Sequence, residues 1–170
     1  MTNKKLAAAL KELGDLLVIA GQDETKAARY ARLAYTISRL SEDVETLCGD
    51  GRLGDIPGVG PATAALLSEL LLTGTCRMRR DWERRVPASA LELLTIPGIG
   101  ARTARHLFQD CGIDSLDALE RAVRRGSITG LDARAAATLR TYFRHYHSRQ
   151  SAQTLALLLD DELETSVGAR

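Results

Sequence analysis

The chain has 170 residues, of which 45% are apolar and 4% aromatic, with 23 Lys or Arg against 22 Asp or Glu. That length suits one domain or two small ones sharing a core, and the ordinary apolar share is enough to build it, which argues against a disordered chain. Scarce aromatics among abundant Leu, Ala and Arg disfavour a β-sandwich, and the net charge of +1 conceals a basic block, since residues 77–149 hold 14 Arg against 8 acids.

Leu6, Leu10, Leu13 and Leu17 recur at helical spacing and predict a first helix over 2–20. Lys11, Glu12 and Asp15 interrupt its apolar run, so it reads as an amphipathic helix and not as an export signal. No stretch approaches the roughly 20 apolar residues of a membrane span. After Gly21, Asp23 caps a second helix over about 24–40. Ser41 before "EDVETL" has the form of a capping box opening a short third helix. "DGRLGDIPGVG" is a punctuated turn, and Pro61 opens a helix to about Leu72, at the position where a missing N–H costs least.

"TGTCRMRRDWERRVP" reads as a connector holding five arginines. A short helix over 88–95 leads to a second punctuated turn, followed by a helix over 101–111. That helix ends at Gly112, the next is capped by Asp114 or Ser115, and Gly126 stops it. "TGLDARAAATLRTYFRHY" forms a third turn and helix without Pro-Gly, and residues 150–165 a last helix with an acidic end. No segment alternates with period 2, so the expected fold is all-α, a bundle of short helices. Cys48, Cys76 and Cys111 are odd in number and widely spaced, which fits free thiols in a reducing cytoplasm.

"IPGVG" begins at Ile56 and "IPGIG" at Ile96, and each opens into an alanine-bearing helix. The Pro-Gly pair stops the preceding turn, and Gly permits backbone angles that other residues resist. The second Gly leaves no side chain between the backbone and whatever approaches. The helix that follows at once turns free N–H groups and a positive dipole end outward, a seat for a phosphate oxygen. A dinucleotide fingerprint fits poorly, because no strand precedes either turn and the third Gly is absent. A corner that only folds the chain would explain one copy. Two copies, with matching Leu-x-x-Ile before and Ala after, favour a device for nucleic-acid backbones.

The candidate contacts are Gly58, Val59, Gly60 and Thr63 in hairpin one, and Gly98, Ile99, Gly100, Arg102, Thr103 and Arg105 in hairpin two. "GPATAALLSELL" offers no basic side chain, so hairpin one relies on N–H groups and the Thr63 hydroxyl. "GARTARHLF" adds charge-assisted partners and is the stronger site. Arg77, Arg79, Arg80, Arg84 and Arg85 form either a basic strip beside a duplex or a solvated linker paired with Asp81 and Glu83. Trp82 reads as a core plug before a base-stacking ring, and Tyr142, Phe143 and Tyr146 as a core stripe. His145 and His147, two apart, face different directions and make no metal site. The adjacent Asp160 and Asp161 read as a solvated helix end.

"LGDIPGVGPATAALLSELLLTG" and "LLTIPGIGARTARHLFQDCGI" resemble paired helix–hairpin–helix motifs. With the K-x-x-x-Y-x-x-A helix before them and "GIDSLDALERAVRRG" after, their order over about residues 3–147 resembles the N-terminal half of bacterial family X DNA polymerases. The resemblance implies a fold like the N-terminal region of DNA polymerase beta. It would comprise a lyase-like helical domain over 1–75, a fingers-like domain over 76–148 with the second hairpin and a degenerate third, and a helix and tail over 149–170. The family's polymerase palm does not follow, so polymerisation is not expected of the chain as given, whether it stands alone or is a piece of a longer protein. The resemblance places the lyase lysine six residues after the last Gly of hairpin one, where this chain has Leu66, and no catalytic residue is expected.

Lys26 and Tyr30 match the family positions that contact a 5′-phosphate. The family's hairpin carbonyls hold a monovalent cation, sodium or potassium, and the matching positions are Gly54, Ile56 and Val59, then Leu94, Ile96 and Ile99. No organic cofactor is expected. The implied function is sequence-independent DNA binding at gapped or nicked duplex in DNA repair, alongside a repair polymerase or other repair protein, in the cytoplasm and away from membranes. Two alternatives stay open: a 5′-deoxyribose-phosphate lyase using Lys26 as its amine, and a protein-interaction module built on the uncharged helix of hairpin one.

Overall fold

The computed structural model describes residues 1–131 and 133–146, and among these there is no strand. The expected helix over 150–165, His147, Asp160 and Asp161 lie outside the described residues. The helices are α1 (Asn3–Ile19), α2 (Glu24–Ser38), α3 (Val44–Gly49), α4 (Pro61–Thr73), α5 (Arg77–Glu83), α6 (Ala88–Glu92), α7 (Ala101–Arg105) and α8 (Leu116–Arg125). A further helix covers 133–146. No helix among the described residues is long and apolar enough to cross a membrane.

Side-chain oxygens cap four of these helices, with Thr2, Asp23, Asp43 and Ser115 each accepting a backbone N–H of the first turn. Ser41 is not the cap of α3. Asn3 stitches the segment after it, accepting the Val44 N–H at 2.9 Å and donating to the Glu42 carbonyl at 2.9 Å. The helix therefore begins only after Asp43, whose carboxylate accepts from Glu45 at 2.9 Å.

The arginine-rich connector is also corrected, because it folds as α5. Cys76 is buried and its sulfur accepts the Arg79 N–H, while Arg79 pairs with Glu83 one turn on at 2.7 Å. Arg79 also reaches Glu12 of α1 at 3.1 Å, and Arg80 reaches Glu69 of α4 at 2.7 Å. The helix after the second turn departs from expectation as well, since α7 widens into a π-turn over His106–Asp110 before Cys111.

Two cores share one helix. Leu6, Leu10 and Leu13 of α1 are buried with Leu33, Ile37, Val44, Leu53, Ile56, Leu67 and Leu70. Leu16 and Ile19, one turn further along, are buried with Val86, Leu93, Ile96, Leu107, Leu119, Leu139 and Phe143. Gly14, between the two sets, lets α2 come close. A Cβ there would stand 3.1 Å from the Ala27 carbonyl oxygen. Trp82 packs against both the second core and the Leu17–Val18 face, in keeping with its reading as a plug.

His106 ties the turn before the 133–146 helix to the π-turn. Its Nδ1 lies 2.7 Å from Asp110 and its Nε2 2.8 Å from the Thr129 carbonyl, with the Cys111 sulfur 3.7 Å from Nε2. The carboxylate and the carbonyl only accept, so the doubly protonated ring suits both, and the Thr129 carbonyl first and Asp110 second raise the His106 pKa. A raised folded-state pKa gives stability that is complete below the unfolded value, near 6.5, and is lost as pH rises through the folded one. The stability margin of the wild type over His106→Gln is therefore expected to be widest near pH 5.5 and to narrow by pH 8. Thermal melts across that range check it, and a margin that does not change with pH would refute the assignment.

Candidate nucleic-acid interface

The two punctuated turns have one geometry. Leu53, Ile56 and Val59 are buried at every third residue, and so are Leu93, Ile96 and Ile99. The 3₁₀ turns at Leu53–Asp55 and Leu93–Thr95 set the first of these spacings, and the reverse turn that follows sets the second. The Val59 N–H then donates to the Ile56 carbonyl at 3.0 Å, and the Ile99 N–H to the Ile96 carbonyl at 3.0 Å. Pro57 and Pro97 hold the second position of each turn, and Gly58 and Gly98 the third with φ +85°. These are type II turns, whose third position calls for glycine. The apolar residues anchor each loop and leave its proline and two glycines exposed.

Gly60 and Gly100 are glycines for a different reason. Their φ/ψ angles are −93°/178° and −95°/173°, extended backbone that any residue adopts, and a Cβ on either would meet nothing within 4 Å. Thr2, Asp43 and Ser115 stand in the same region and turn a side chain back onto their own helices. Gly60 and Gly100 cannot, so α4 and α7 begin uncapped. The open donors are the N–H groups of Ala62 and Thr63 in α4, where Pro61 has none, and of Ala101, Arg102 and Thr103 in α7. α6 also lacks a side-chain cap, but a proline stands before it in place of the exposed glycines.

Side chains complete the two sites unevenly. Arg102 is 81% exposed and pairs with Glu24 at the start of α2, so an incoming phosphate competes with that carboxylate. Arg105 donates to Gln109 at 3.3 Å. Hairpin one is not without basic side chains, contrary to the expectation from its own helix. α2 brings Arg29, Arg32 and Thr36 beside Pro57, Gly58 and Thr63 in a groove of about 330 Å³. Neither arginine has an ion-pair partner within 4.0 Å among the described residues. They recur at i, i+3 on the exposed side of α2, a signal that became meaningful only once α2 was known to flank the loop.

Tyr30 edges the same groove, but its hydroxyl lies 3.2 Å from the Met78 sulfur and partial burial pushes its pKa up. Lys26 is exposed near the start of α2 and does not line the groove. Leu66 instead borders a second cleft, of about 740 Å³, together with Ala62, Met78 and Trp82. The Arg85 guanidinium lies over the Trp82 ring there at 4.9 Å, and Asp81 pairs with both Arg77 and Arg84. The arginine strip is thus largely engaged within the fold. At loop two, the 133–146 helix takes the flanking place that α2 has at loop one: Thr138 lines a groove with Pro97, Gly98 and Ile99, and a Cβ on Gly98 would stand 3.9 Å from the Thr138 methyl.

Residues 1–76 match a helix-hairpin-helix domain model, and residues 90–140 match a SAM-like helix-hairpin-helix tandem. The chain is an all-α bundle carrying two such hairpins. It is also similar to the Bacillus subtilis (strain 168) protein named DNA polymerase/3'-5' exonuclease PolX, at 21% identity over 131 residues. That similarity takes in 77% of this chain and 22% of the relative, so the chain spans less than a quarter of that protein's length.

Proposed function

We propose that this chain binds duplex DNA without regard to sequence, seating backbone phosphates on the two hairpins. The observation that carries the proposal is the pair of open helix starts. Five other helices spend a side chain on capping their first turn, whereas α4 and α7 keep exposed glycine there and leave their donors outward. Such N–H groups, backed by a helix dipole, favour an anion. Phosphate contacts fix position on a duplex without reading its sequence. The similarity to a protein named DNA polymerase/3'-5' exonuclease supports DNA as the partner, and the proposal places the chain in DNA repair, at gapped or nicked duplex and next to a repair polymerase.

The carbonyls of Gly54, Ile56 and Val59, and of Leu94, Ile96 and Ile99, are oxygen donors of the kind a hard cation takes. A sodium or potassium ion held there would add positive charge beside the phosphate. The lyase alternative gains nothing from the cleft around Leu66, whose described lining holds arginines and carboxylates but no lysine.

Arg29 and Arg32 serve hairpin one in this proposal, and Arg102 and Arg105 serve hairpin two. Changing either pair to glutamine is expected to weaken binding to unrelated duplexes by the same factor. Each pair should also flatten the dependence of log K on log salt by about 2, because each phosphate neutralised contributes a slope of about 0.9. Fluorescence anisotropy at several salt concentrations measures both. An unchanged slope would remove that pair from the interface, and losses that differ between sequences would contradict backbone recognition.

A further inference from the structure

The geometry points to a nucleobase site beside hairpin two: the groove between its loop and the 133–146 helix takes an unpaired base from a strand whose backbone lies on that hairpin. This inference rests on the hairpin reading above and adds a second kind of contact to it. The groove measures about 560 Å³ and is lined by Pro97, Arg134, Thr138, Tyr142, His145 and Tyr146, among others. That size falls in the range of about 300–1,000 Å³ usual for sites that enclose small planar ligands.

Its wall is aromatic. The Tyr142 and Tyr146 rings are stacked 5.9 Å apart with 20° between their planes, as residues one helical turn apart can be. Buried Phe143 meets both edge-on, at 5.3 and 6.5 Å, and braces them from the core. A core stripe therefore accounts for Phe143, while the two tyrosines are only half-buried and face the groove. Two of the chain's four tyrosines and one of its two phenylalanines fall within 142–146, in a protein otherwise poor in aromatics.

Charge selects the occupant. The groove's lining includes Arg134 and His145 and the hydroxyls of Thr138 and Thr141, with no acidic side chain among the described residues. Arg134 and Thr138 also line the adjoining groove at Pro97, Gly98 and Ile99, so the basic side chain spans the loop and the aromatic wall. A ring-bearing polyanion fits both halves. Stacking tolerates any base, because every base has a π-face.

The test uses a blunt duplex and the same duplex extended by a short overhang carrying 2-aminopurine. Binding of the wild-type chain is expected to quench the unpaired fluorophore. Tyr142→Leu with Tyr146→Leu, which keeps apolar volume but removes the rings, should abolish the quenching and weaken overhang binding about tenfold, while blunt-duplex affinity stays within about twofold. Circular dichroism checks that the variant folds. If it does not, His145→Glu replaces it, setting a negative charge on the exposed rim with the same expected split between substrates. No quenching by the wild type, or quenching that survives the substitutions, would overturn the base site while blunt-duplex binding keeps the hairpin reading intact. Failure of the wild type to bind either DNA would overturn both.

Discussion

Replacing Gly60 and Gly100 together by aspartate is expected to raise the melting temperature by about 3–8 °C and to cut duplex affinity by roughly a hundredfold. The opposite signs follow from the backbone. Both residues already have the extended angles of an N-cap, and a side chain on either meets open space. An aspartate there caps its own helix and complements its dipole. Against glycine, each replacement gains a few tenths of a kcal/mol from the cap and about 0.3–1 kcal/mol from the charge. For a chain of this size, about 1 kcal/mol corresponds to 2–4 °C.

The same carboxylate occupies the donors proposed to hold phosphate and repels it, and a hundredfold loss corresponds to about 2.7 kcal/mol over two sites. Gly98→Ala is the contrasting variant. Its φ of +85° costs an L-residue about 1–2 kcal/mol, so stability should fall there. Thermal melts and anisotropy on the same samples decide the matter. Aspartate variants that melt higher yet bind DNA as before would show that the open helix starts are not the binding site.

The second large effect lies in α1. Leu13 and Leu16 are each 1% exposed, three residues apart, in different cores. Leu13→Ala and Leu16→Ala are each expected to cost about 2–5 kcal/mol, the range for truncating a buried leucine. The corresponding fall in melting temperature is about 5–15 °C. Because one rigid helix contributes to both cores, each variant should still melt in a single transition, with segments 1–75 and 76–148 unfolding as a unit. Calorimetry distinguishes this from the alternative. A biphasic melt in which Leu16→Ala lowers only one step would show that the cores are energetically separate.

What could be read in advance was what is local. A type II turn followed by a helix is written in five residues, Ile-Pro-Gly-x-Gly, so both hairpins, their buried Leu-x-x-Ile and the uncharged start at Pro61 were legible. The caps at Asp23 and Ser115 were legible for the same reason. Apart from the π-turn after α7, the misreadings concern contacts across the chain. Ser41 lost to Asp43 because Asn3, far upstream, holds the segment between them. α5 has only seven residues, too few to show a period, and ion pairs to Glu12 and Glu69 tie it to α1 and α4. Arg29 and Arg32 reach hairpin one only because Gly14 lets α2 lie close against α1. Glu24 and Arg102 meet across 78 positions, a pairing no local pattern announces.

The sharing of α1 between two cores also sets an order of events during synthesis. α1 leaves the ribosome before the other described helices, yet its halves acquire partners at different times. Leu6, Leu10 and Leu13 can close their core once residues up to Cys76 have emerged. Leu16 and Ile19 must wait for a partner set that ends at Phe143. At about 5–20 residues per second, translation leaves those two side chains exposed for several seconds. The nascent chain thus carries a short sticky patch beside an already folded half, and that interval is where a chaperone would find it.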